Sequence, residues 1–179
     1  TVREHFCQAL GILPEQKYEA EGGPSLERCF ALLKGKSVSP ASDQKALLLW
    51  VVFNALIGNA DAHAKNLAII YTPLGPRLAP FYDLISTLVY PDLSARLAMR
   101  IGGENRLNWI QRRHWERFSH EVGINPRWIE KMLREISRSI SPIAVSVAQD
   151  LTETHGPSAF VEKVVQIIKK AALKFAGST

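Results

Sequence analysis

The sequence predicts a mainly α-helical domain with a small β-hairpin, and three features of the chain support this fold class. Apolar residues recur at helical spacing in the first third of the chain and again from residue 108 onward. Between these regions lies one short run rich in β-branched and aromatic residues, 67–71, followed by a proline and glycine turn at 72–76. Helices on both sides of one hairpin indicate an α-rich domain with a minor β element.

The N-terminal third is predicted to hold three helices. The first spans 2–10, with Thr1 as its cap, and ends at Gly11. A loop follows, which the turn sequence Gly-Gly-Pro at 22–24 indicates. The second helix spans 26–33 and ends at Gly35, and a linker leads to the third and most hydrophobic helix. Pro40 stands near the start of that helix, where its missing N–H is tolerated, and the helix runs to about residue 57.

The remaining elements follow the hairpin. Residues 97–101 are predicted as another short extended segment that ends at a pair of glycines. A helix over 109–122 begins after Asn108, and a further helix runs from Pro126 towards residue 148, with Pro142 as a kink or break. A last amphipathic helix opens at 156–158 and ends near residue 175. The tryptophans at 109, 115 and 128 are expected to anchor the core or the contacts between helices.

Length and composition restrict the class of protein. A chain of 179 residues and 20.0 kDa is expected to form one domain over residues 1–179. Apolar residues make up 46% and charged residues 22%, which is typical of globular proteins and excludes a disordered chain. The 22 basic and 17 acidic residues leave a net charge of +5, which suits an anionic partner without selecting one.

Cysteine use and hydropathy bear on the compartment. Cys7 and Cys29 have neither CxxC nor zinc-site spacing, so we expect two small buried apolar residues and no disulfide framework. No signal peptide is visible in the first residues. The longest apolar run, 46–57, is interrupted by Asn54 and is much shorter than the ~20 residues of a membrane-spanning helix. We therefore expect a cytoplasmic protein with no membrane association.

One polar segment, 58–66 with the sequence GNADAHAKN, concentrates groups that can do chemistry. Asp61, His63, Lys65 and Asn66 supply a carboxylate, an imidazole, an ammonium and an amide, with small alanines between them. The segment lies between a buried helix and a hairpin, so its ends are held while its polar groups stay free. A second acidic residue, Asp83, follows the hairpin.

The spacing of these residues indicates phosphoryl transfer. A hairpin that leaves Asn66 and returns near Asp83 brings an amide oxygen and a carboxylate together, which suits a hard cation such as Mg²⁺. Asp61, five residues before Asn66, can then accept a proton from an attacking hydroxyl. Protein kinases have the same order of a base Asp, a metal-binding Asn five residues later and a metal-binding Asp after a hairpin.

Four patches of the sequence together resemble the C-terminal part of HipA-like serine/threonine kinases, which are toxins of bacterial toxin–antitoxin pairs. The patches are FCQALG at 6–11, KYE with GGP at 17–24, GNADAHAKN at 58–66 and RLAPFYDLIST at 77–87. They occur in order over roughly residues 1–140. The resemblance implies the C-terminal lobe of a protein-kinase-like fold of the HipA type.

The same resemblance implies roles and partners. It implies that Asp61 is the catalytic base, that Asn66 and Asp83 bind Mg²⁺, and that His63 and Lys65 shape the site or meet the phosphates of ATP. It further implies a protein substrate, such as the aminoacyl-tRNA synthetase for glutamate. The implied partner is a small helix-turn-helix antitoxin of the HipB type, through which any contact with operator DNA would be indirect.

The chain also departs from ordinary protein kinases. Leu84 follows Asp83 where those kinases have glycine, and Asn59-Ala60 precedes Asp61 where they have His-Arg. The sequence contains no glycine-rich phosphate loop and no lysine in a V-A-I-K context. We therefore expect that the N-terminal ATP-binding lobe is absent from this chain and that the chain alone is inactive.

Other interpretations of the same residues remain open. The main alternative is a non-catalytic module that docks a helix-turn-helix antitoxin on its DNA, which the missing phosphate loop and the positive charge favour. Asp61 and Asn66 alone could form a polar turn, and Asp61 with His63 could hold the metal of a hydrolase, although no third ligand is evident. The segment 17–19 could touch a substrate or form an exposed loop with a partly buried tyrosine.

Overall fold

The computed structural model describes residues 2–13 and 15–177, and over these residues the fold is mostly helical, as predicted. The helices are α1 (Phe6–Ala9), α2 (Leu26–Lys36), α3 (Pro40–Ile57), α4 (Arg112–Val122), α5 (Pro126–His155) and α6 (Ala159–Ala176). The strands are β1 (Arg3–His5), β2 (Ala68–Thr72), β3 (Gly75–Leu78), β4 (Arg96–Ile101) and β5 (Glu104–Arg106). Short 3₁₀ turns connect several of them.

Helix α3 lies at the centre of the core. It is apolar on nearly every face, and Leu47, Leu48, Val52 and Leu56 are completely buried between α2, α5 and α6. The helix ends at Gly58, whose backbone is left-handed with a φ of 72°. A Cβ at this glycine would lie 2.8 Å from the side chain of Ile167 on α6, so a larger residue would push the following loop away from the core.

The predicted hairpin is present as β2 and β3, and it belongs to a three-stranded antiparallel sheet in the order β1-β2-β3. Strand β1 corrects the prediction of a helix over 2–10, because Arg3 to His5 pair with β2 and only Phe6–Ala9 is helical. The strand that pairs with β1 lies more than sixty residues further along the chain, so the local apolar spacing could not indicate it. The proposed cap, Thr1, lies outside the described residues.

A second hairpin, β4 with β5, includes the predicted extended segment 97–101 and adds a strand that was not predicted. Gly102 and Gly103 form its turn, with φ values of 55° and 82°. A Cβ at Gly102 would lie 1.9 Å from the carbonyl oxygen of His114, so only glycine fits where this turn meets α4. The hairpin therefore packs directly against the helical half of the domain.

The C-terminal helices differ from the prediction in their bounds. Asn108 lies in a 3₁₀ turn and does not cap the helix, so α4 begins at Arg112 instead of residue 109, and it ends at Val122 before Gly123, as expected. Helix α5 is continuous through Pro142 and ends at His155 instead of near residue 148, so of the predicted kink or break, the break is wrong. Pro142 has no backbone N–H to donate within the helix, and the packing of α5 along α6 stabilises the turn that lacks this hydrogen bond. Helix α6 begins after Ser158, whose hydroxyl accepts a hydrogen bond from the backbone N–H of Val161.

The buried side chains confirm some of the predicted core and correct the rest. Cys7, Cys29 and Trp115 are buried, as expected. Trp109 and Trp128 are instead about half exposed, and cations cover part of their rings: the Arg106 guanidinium lies 3.8 Å from the Trp109 ring centre. Of the described helices, none is long and apolar enough to cross a membrane.

Candidate active site

The loop between α3 and β2 carries the predicted site, and a chain of buried amides holds its start. The side-chain amide of Asn54 donates to the carbonyl of Trp50 at 2.8 Å, and the amide of Asn59 donates to Asn54 Oδ1 at 2.7 Å. Asn59 Oδ1 in turn accepts the backbone N–H of Asp61 at 3.1 Å, and its Nδ2 lies 3.3 Å from the carbonyl oxygen of Asp83. One buried side chain thereby links the two predicted acidic residues.

Sequence reasoning did not assign a role to Asn54 or Asn59. The only available signal was that Asn54 interrupts the apolar run of α3. A polar amide on a helix face that is otherwise buried needs hydrogen-bond partners, and here those partners are the site loop itself.

A second set of contacts fixes the loop from its other side. Thr87, which is buried in the segment after Asp83, accepts the backbone N–H of Ala60 at 2.7 Å. The carbonyl of Ala60 accepts the backbone N–H of Ala98 on β4 at 2.8 Å. The backbone N–H and the carbonyl of Ala60 are therefore both hydrogen-bonded, and the neighbouring Asp61 projects from a rigid backbone.

Asp61 has few partners and remains accessible. Tyr18 donates its phenolic hydroxyl to Asp61 Oδ1 at 2.8 Å, and the ammonium of Lys17 lies 3.8 Å from the same oxygen. His63 Nε2 lies 3.9 Å from Oδ2, and 42% of the Asp61 side chain is exposed. The carboxylate is thus oriented by one neutral donor and is free to receive a proton at Oδ2.

Lys17 and Tyr18 therefore contact the loop at Asp61, and Tyr18 is partly buried, as one of the two interpretations of the segment 17–19 expects. The Lys17 ammonium lies 4.7 Å from the centre of the Tyr18 ring, and its contact with Tyr18 raises the pKa of Lys17. Glu19 does something different, because its carboxylate accepts the backbone N–H of Arg100 at 2.7 Å and attaches the segment to β4.

His63 is buried within the loop. Its backbone N–H donates to Asn66 Oδ1 at 2.9 Å, and its ring packs edge-on against Tyr18 with ring centres 6.0 Å apart. Burial lowers the pKa of His63, while Asp61 beside it acts in the opposite direction. The imidazole is therefore held mainly in its neutral form, so that it supports Tyr18 and Asp61 without adding a full charge beside the carboxylate.

Asn66 and Asp83 are brought together as the hairpin predicts. The side-chain amide of Asn66 donates to Asp83 Oδ2, and Asn66 is buried whereas Asp83 is exposed. Asp83 has a left-handed backbone with a φ of 58°, the one such non-glycine among the described residues. This strained conformation turns its carboxylate towards Asn66.

The pair carries oxygen ligands of the kind that a hard cation takes, although the Asn66 amide turns its Nδ2 towards Asp83 and its Oδ1 towards the backbone N–H of His63. The Asn66 amide oxygen accepts one hydrogen bond from His63 and keeps a second lone pair, and the exposed Asp83 carboxylate adds two oxygens. Among the described residues there is no group of three or more His, Cys, Asp or Glu side chains that could hold a metal. A site of one carboxylate and one amide is the kind that Mg²⁺ completes with water and phosphate oxygens.

Lys65 joins the site through its backbone. Its carbonyl accepts the hydroxyl of Tyr82, the residue before Asp83, and Tyr82 also lies 3.1 Å from the His5 ring at the end of β1. The Lys65 side chain is partly exposed in the 3₁₀ turn Ala64–Asn66. The five predicted residues thus form one connected group, and the contact between Tyr82 and Lys65 ties the Asp83 segment to the loop.

Comparisons with known proteins identify relatives of this chain. Residues 2–143 match the family of HipA-like C-terminal domains. A putative kinase of Sinorhizobium fredii, Y4mE, is 42% identical over 157 residues, which are 88% of this chain and 37% of that protein. The serine/threonine-protein kinase toxin HipA of Shewanella oneidensis is 35% identical over 153 residues, which are 78% of this chain and 35% of that protein.

A solved structure agrees with these relatives. The solved structure of the Shewanella oneidensis HipA, HipB and operator DNA complex contains a chain that matches with a TM-score of 0.88 and 29% identity, and the match covers 98% of this chain and 44% of that chain. The chain spans about a third of the length of the two curated relatives. The family match, the relatives and the shared fold lead to one conclusion: the chain belongs to the HipA-like C-terminal domain family.

Proposed function

We propose that this chain is the catalytic lobe of a HipA-like serine/threonine kinase, the toxin of a toxin–antitoxin pair. One observation carries the proposal: Asp61, Asn66 and Asp83 have the order and spacing of a kinase site and lie in one hydrogen-bonded group. Two relatives are named as kinases, which supports the same class of reaction.

Asp61 is the proposed base. As the acceptor hydroxyl attacks the γ-phosphorus of ATP, its proton passes to the Asp61 carboxylate, the new O–P bond forms, and the bond to the β-phosphate oxygen breaks to release ADP. The few contacts of Asp61 suit this role, because a carboxylate already saturated with donors could not accept the proton. Asn59 holds the backbone of Asp61, and Tyr18 donates to one oxygen of its carboxylate.

Asn66 and Asp83 are the proposed ligands of Mg²⁺. When bound, the ion supplies charge neutralisation at the transferred phosphoryl group. In this lobe the backbone of Asp83 is held by Asn59, and the Asn66 side chain is held by the N–H of His63. Lys65, whose side chain reaches the surface of the same turn, and His63 are proposed to contact or shape the phosphate site.

Binding of ATP requires more than this lobe. The chain has no glycine-rich loop and spans about a third of its curated relatives, so we place phosphoryl transfer in the full-length protein. We further propose a helix-turn-helix antitoxin of the HipB type as its cytoplasmic partner, with DNA contacted through the antitoxin. This rests on the solved complex of the similar HipA with HipB and operator DNA. An aminoacyl-tRNA synthetase is the proposed kind of protein substrate.

The proposed site is tested by substitution in the full reading frame. We expect Asp61→Asn to lower the transfer of the γ-phosphoryl group of radiolabelled ATP by at least about a hundredfold, because general-base catalysis alone contributes about 10²–10⁴. Asp83→Asn should lower it to a similar extent, because it removes the carboxylate of the proposed Mg²⁺ site. Asp150→Asn, on the exposed face of α5, is the matched control and should keep wild-type activity. Wild-type transfer by both site variants would refute the proposal.

The partner is tested separately from catalysis. We expect the full-length protein to co-purify with a helix-turn-helix protein of the HipB type expressed with it, and to do so equally well as the Asp61→Asn variant. No complex at micromolar concentration would refute the proposed antitoxin partner while leaving the catalytic proposal intact.

A further inference from the structure

A cavity of about 470 Å³ opens beside Asp61. The loop of Tyr18, the segment after Asp83 and strand β4 form its wall, which includes Tyr18, Asp61, Ile85, Leu93, Arg96 and Leu97. Its size lies within the range of about 300–1,000 Å³ that is typical of ligand sites. It is large enough to receive a short stretch of polypeptide with its side chains.

Asp61 is the residue that the cavity shares with the predicted phosphate site. The other four predicted site residues, from His63 to Asp83, do not line this cavity, within the part of the chain that the structure describes. A molecule in the cavity therefore approaches the carboxylate without occupying the position of the metal pair. This separation is what transfer between two bound substrates requires, because donor and acceptor must meet at the base.

The Tyr18 hydroxyl indicates how a hydroxyl in the cavity meets Asp61. Tyr18 lines the cavity and donates to Oδ1 at 2.8 Å, which is the distance and polarity expected of an acceptor hydroxyl that is about to lose its proton. The second oxygen, Oδ2, has His63 Nε2 at 3.9 Å, beyond hydrogen-bond distance. A serine or threonine hydroxyl that enters the cavity can donate to Oδ2 while Tyr18 keeps Oδ1 fixed.

Aliphatic side chains at the mouth of the cavity are uncovered. Ile85 is 48% exposed and Leu93 is 53% exposed, and both border the cavity together with the half-buried Leu97. Besides Asp61 itself, the charged residues of the wall are Glu21 and Arg96, which have opposite signs. The exposed aliphatic side chains are therefore the feature of the mouth that a residue beside the acceptor can cover.

We propose that this cavity is the acceptor site, and that it binds an extended segment of a substrate protein in which an aliphatic side chain flanks the serine or threonine. The aliphatic side chain covers Ile85 and Leu93 while the hydroxyl reaches Asp61. This inference rests on the proposed kinase function and adds to it the class of sequence around the acceptor.

The test uses the full-length protein, radiolabelled ATP and a library of peptides with a central serine and varied neighbours. Wild-type protein should prefer leucine, isoleucine or valine beside the serine. Leu93→Glu and Ile85→Glu should each raise the KM of the preferred peptide by about tenfold or more, since contacts of this size in an apolar pocket change kcat/KM by about 10–200-fold. Hydrolysis of ATP without peptide should be unchanged. Leu74→Glu, at an 88% exposed leucine in the β2–β3 turn, is the control and should keep the wild-type KM of the preferred peptide.

The outcomes separate this inference from the kinase proposal. If Asp61→Asn leaves both peptide transfer and hydrolysis at wild-type level, the kinase proposal fails. If Asp61→Asn abolishes both, but the Leu93 and Ile85 variants keep the wild-type peptide KM, the acceptor site lies elsewhere and the inference is overturned. A library without any preference for aliphatic neighbours also overturns it.

Discussion

The two ends of helix α3 hold carboxylates in opposite ways. Asp43, in the first turn, is 3% exposed and is saturated with donors: the guanidinium of Arg77 binds both of its oxygens, and Ser37 and the backbone N–H of Leu78 donate at 2.6 and 2.8 Å. Asp61, just after the last turn, has one hydroxyl donor, the ammonium of Lys17 at 3.8 Å and the His63 imidazole at 3.9 Å.

This difference distinguishes a carboxylate that stabilises the fold from one that can take part in a reaction. Burial alone would raise the pKa of Asp43, but the hydrogen bonds from Arg77, Ser37 and Leu78 outweigh it and lower the pKa. Its lone pairs are occupied, and it joins α3 to strand β3. Asp61 keeps an accessible oxygen because its loop is fixed through backbone and amide contacts instead of through the carboxylate itself.

The largest expected difference is in stability. We expect Asp43→Asn to lower the free energy of unfolding by about 3 kcal/mol, at the low end for a broken buried pair because one side of the pair reaches solvent. Asp61→Asn should change it by less than about 1 kcal/mol, as is usual for exposed pairs. Urea unfolding at pH 7 measures both, and equal losses would contradict the comparison.

The same measurement has a defined pH dependence. Because the folded-state pKa of Asp43 lies below its unfolded value, its contribution is complete above the ordinary aspartate pKa of about 3.9 and is lost as the pH falls through the folded pKa. Between pH 5 and pH 3, the free energy of unfolding should therefore fall less in Asp43→Asn than in the wild type.

The next largest effect is expected at Asn59, which connects the two predicted acidic residues. Asn59→Ala removes its bonds to Asn54, Asp61 and Asp83 and leaves buried polar groups unpaired, so we expect a loss of about 2 kcal/mol in stability. It should also lower kcat for phosphoryl transfer by about tenfold or more, because both Asp61 and Asp83 lose their fixed positions.

A control variant distinguishes a fall in kcat caused by lost stability from one caused by misplaced site residues. Asn125→Ala removes the side-chain cap of α5, where Asn125 accepts the N–H of Arg127 at 2.9 Å, and should cost about 1 kcal/mol without changing kcat. If folded Asn59→Ala protein turns over at the wild-type rate, Asn59 has no positioning role.

The same contrast shows what could be predicted from the sequence. Asn66 and Asp83 lie on either side of one short hairpin, so local turn chemistry was sufficient to place them together. The order of Asp61 and Asn66 within one loop was likewise a local property. The helices α2 and α6 were predicted for a similar reason, since each follows from apolar spacing and its own caps, and α3 follows from a long apolar run between Pro40 and Gly58.

What could not be predicted depends on contacts between distant segments. Tyr18 meets Asp61 across 43 residues, and Asp43 meets Arg77 across 34, with no local pattern to indicate either pairing. Strand β1 was predicted as helix because its partner lies in β2. Nothing in the local sequence distinguished the saturated Asp43 from the accessible Asp61, since the donors around each come from other elements.

The smallest expected effect is at Tyr18, and it tests how Asp61 is oriented. Tyr18→Phe removes the one hydroxyl that donates to Asp61 Oδ1 and leaves the ring against His63. We expect kcat to fall about three- to tenfold with little change in the KM for ATP, since a hydrogen bond to a charged group contributes about 1.5 kcal/mol or more and this one is partly exposed. The matched control is Tyr71→Phe, which removes a similar bond from Tyr71 to Glu4 at 2.6 Å on the far side of the sheet and should leave kcat unchanged. A rise in kcat for Tyr18→Phe would mean that the hydroxyl competes with the acceptor for Asp61 instead of positioning the carboxylate.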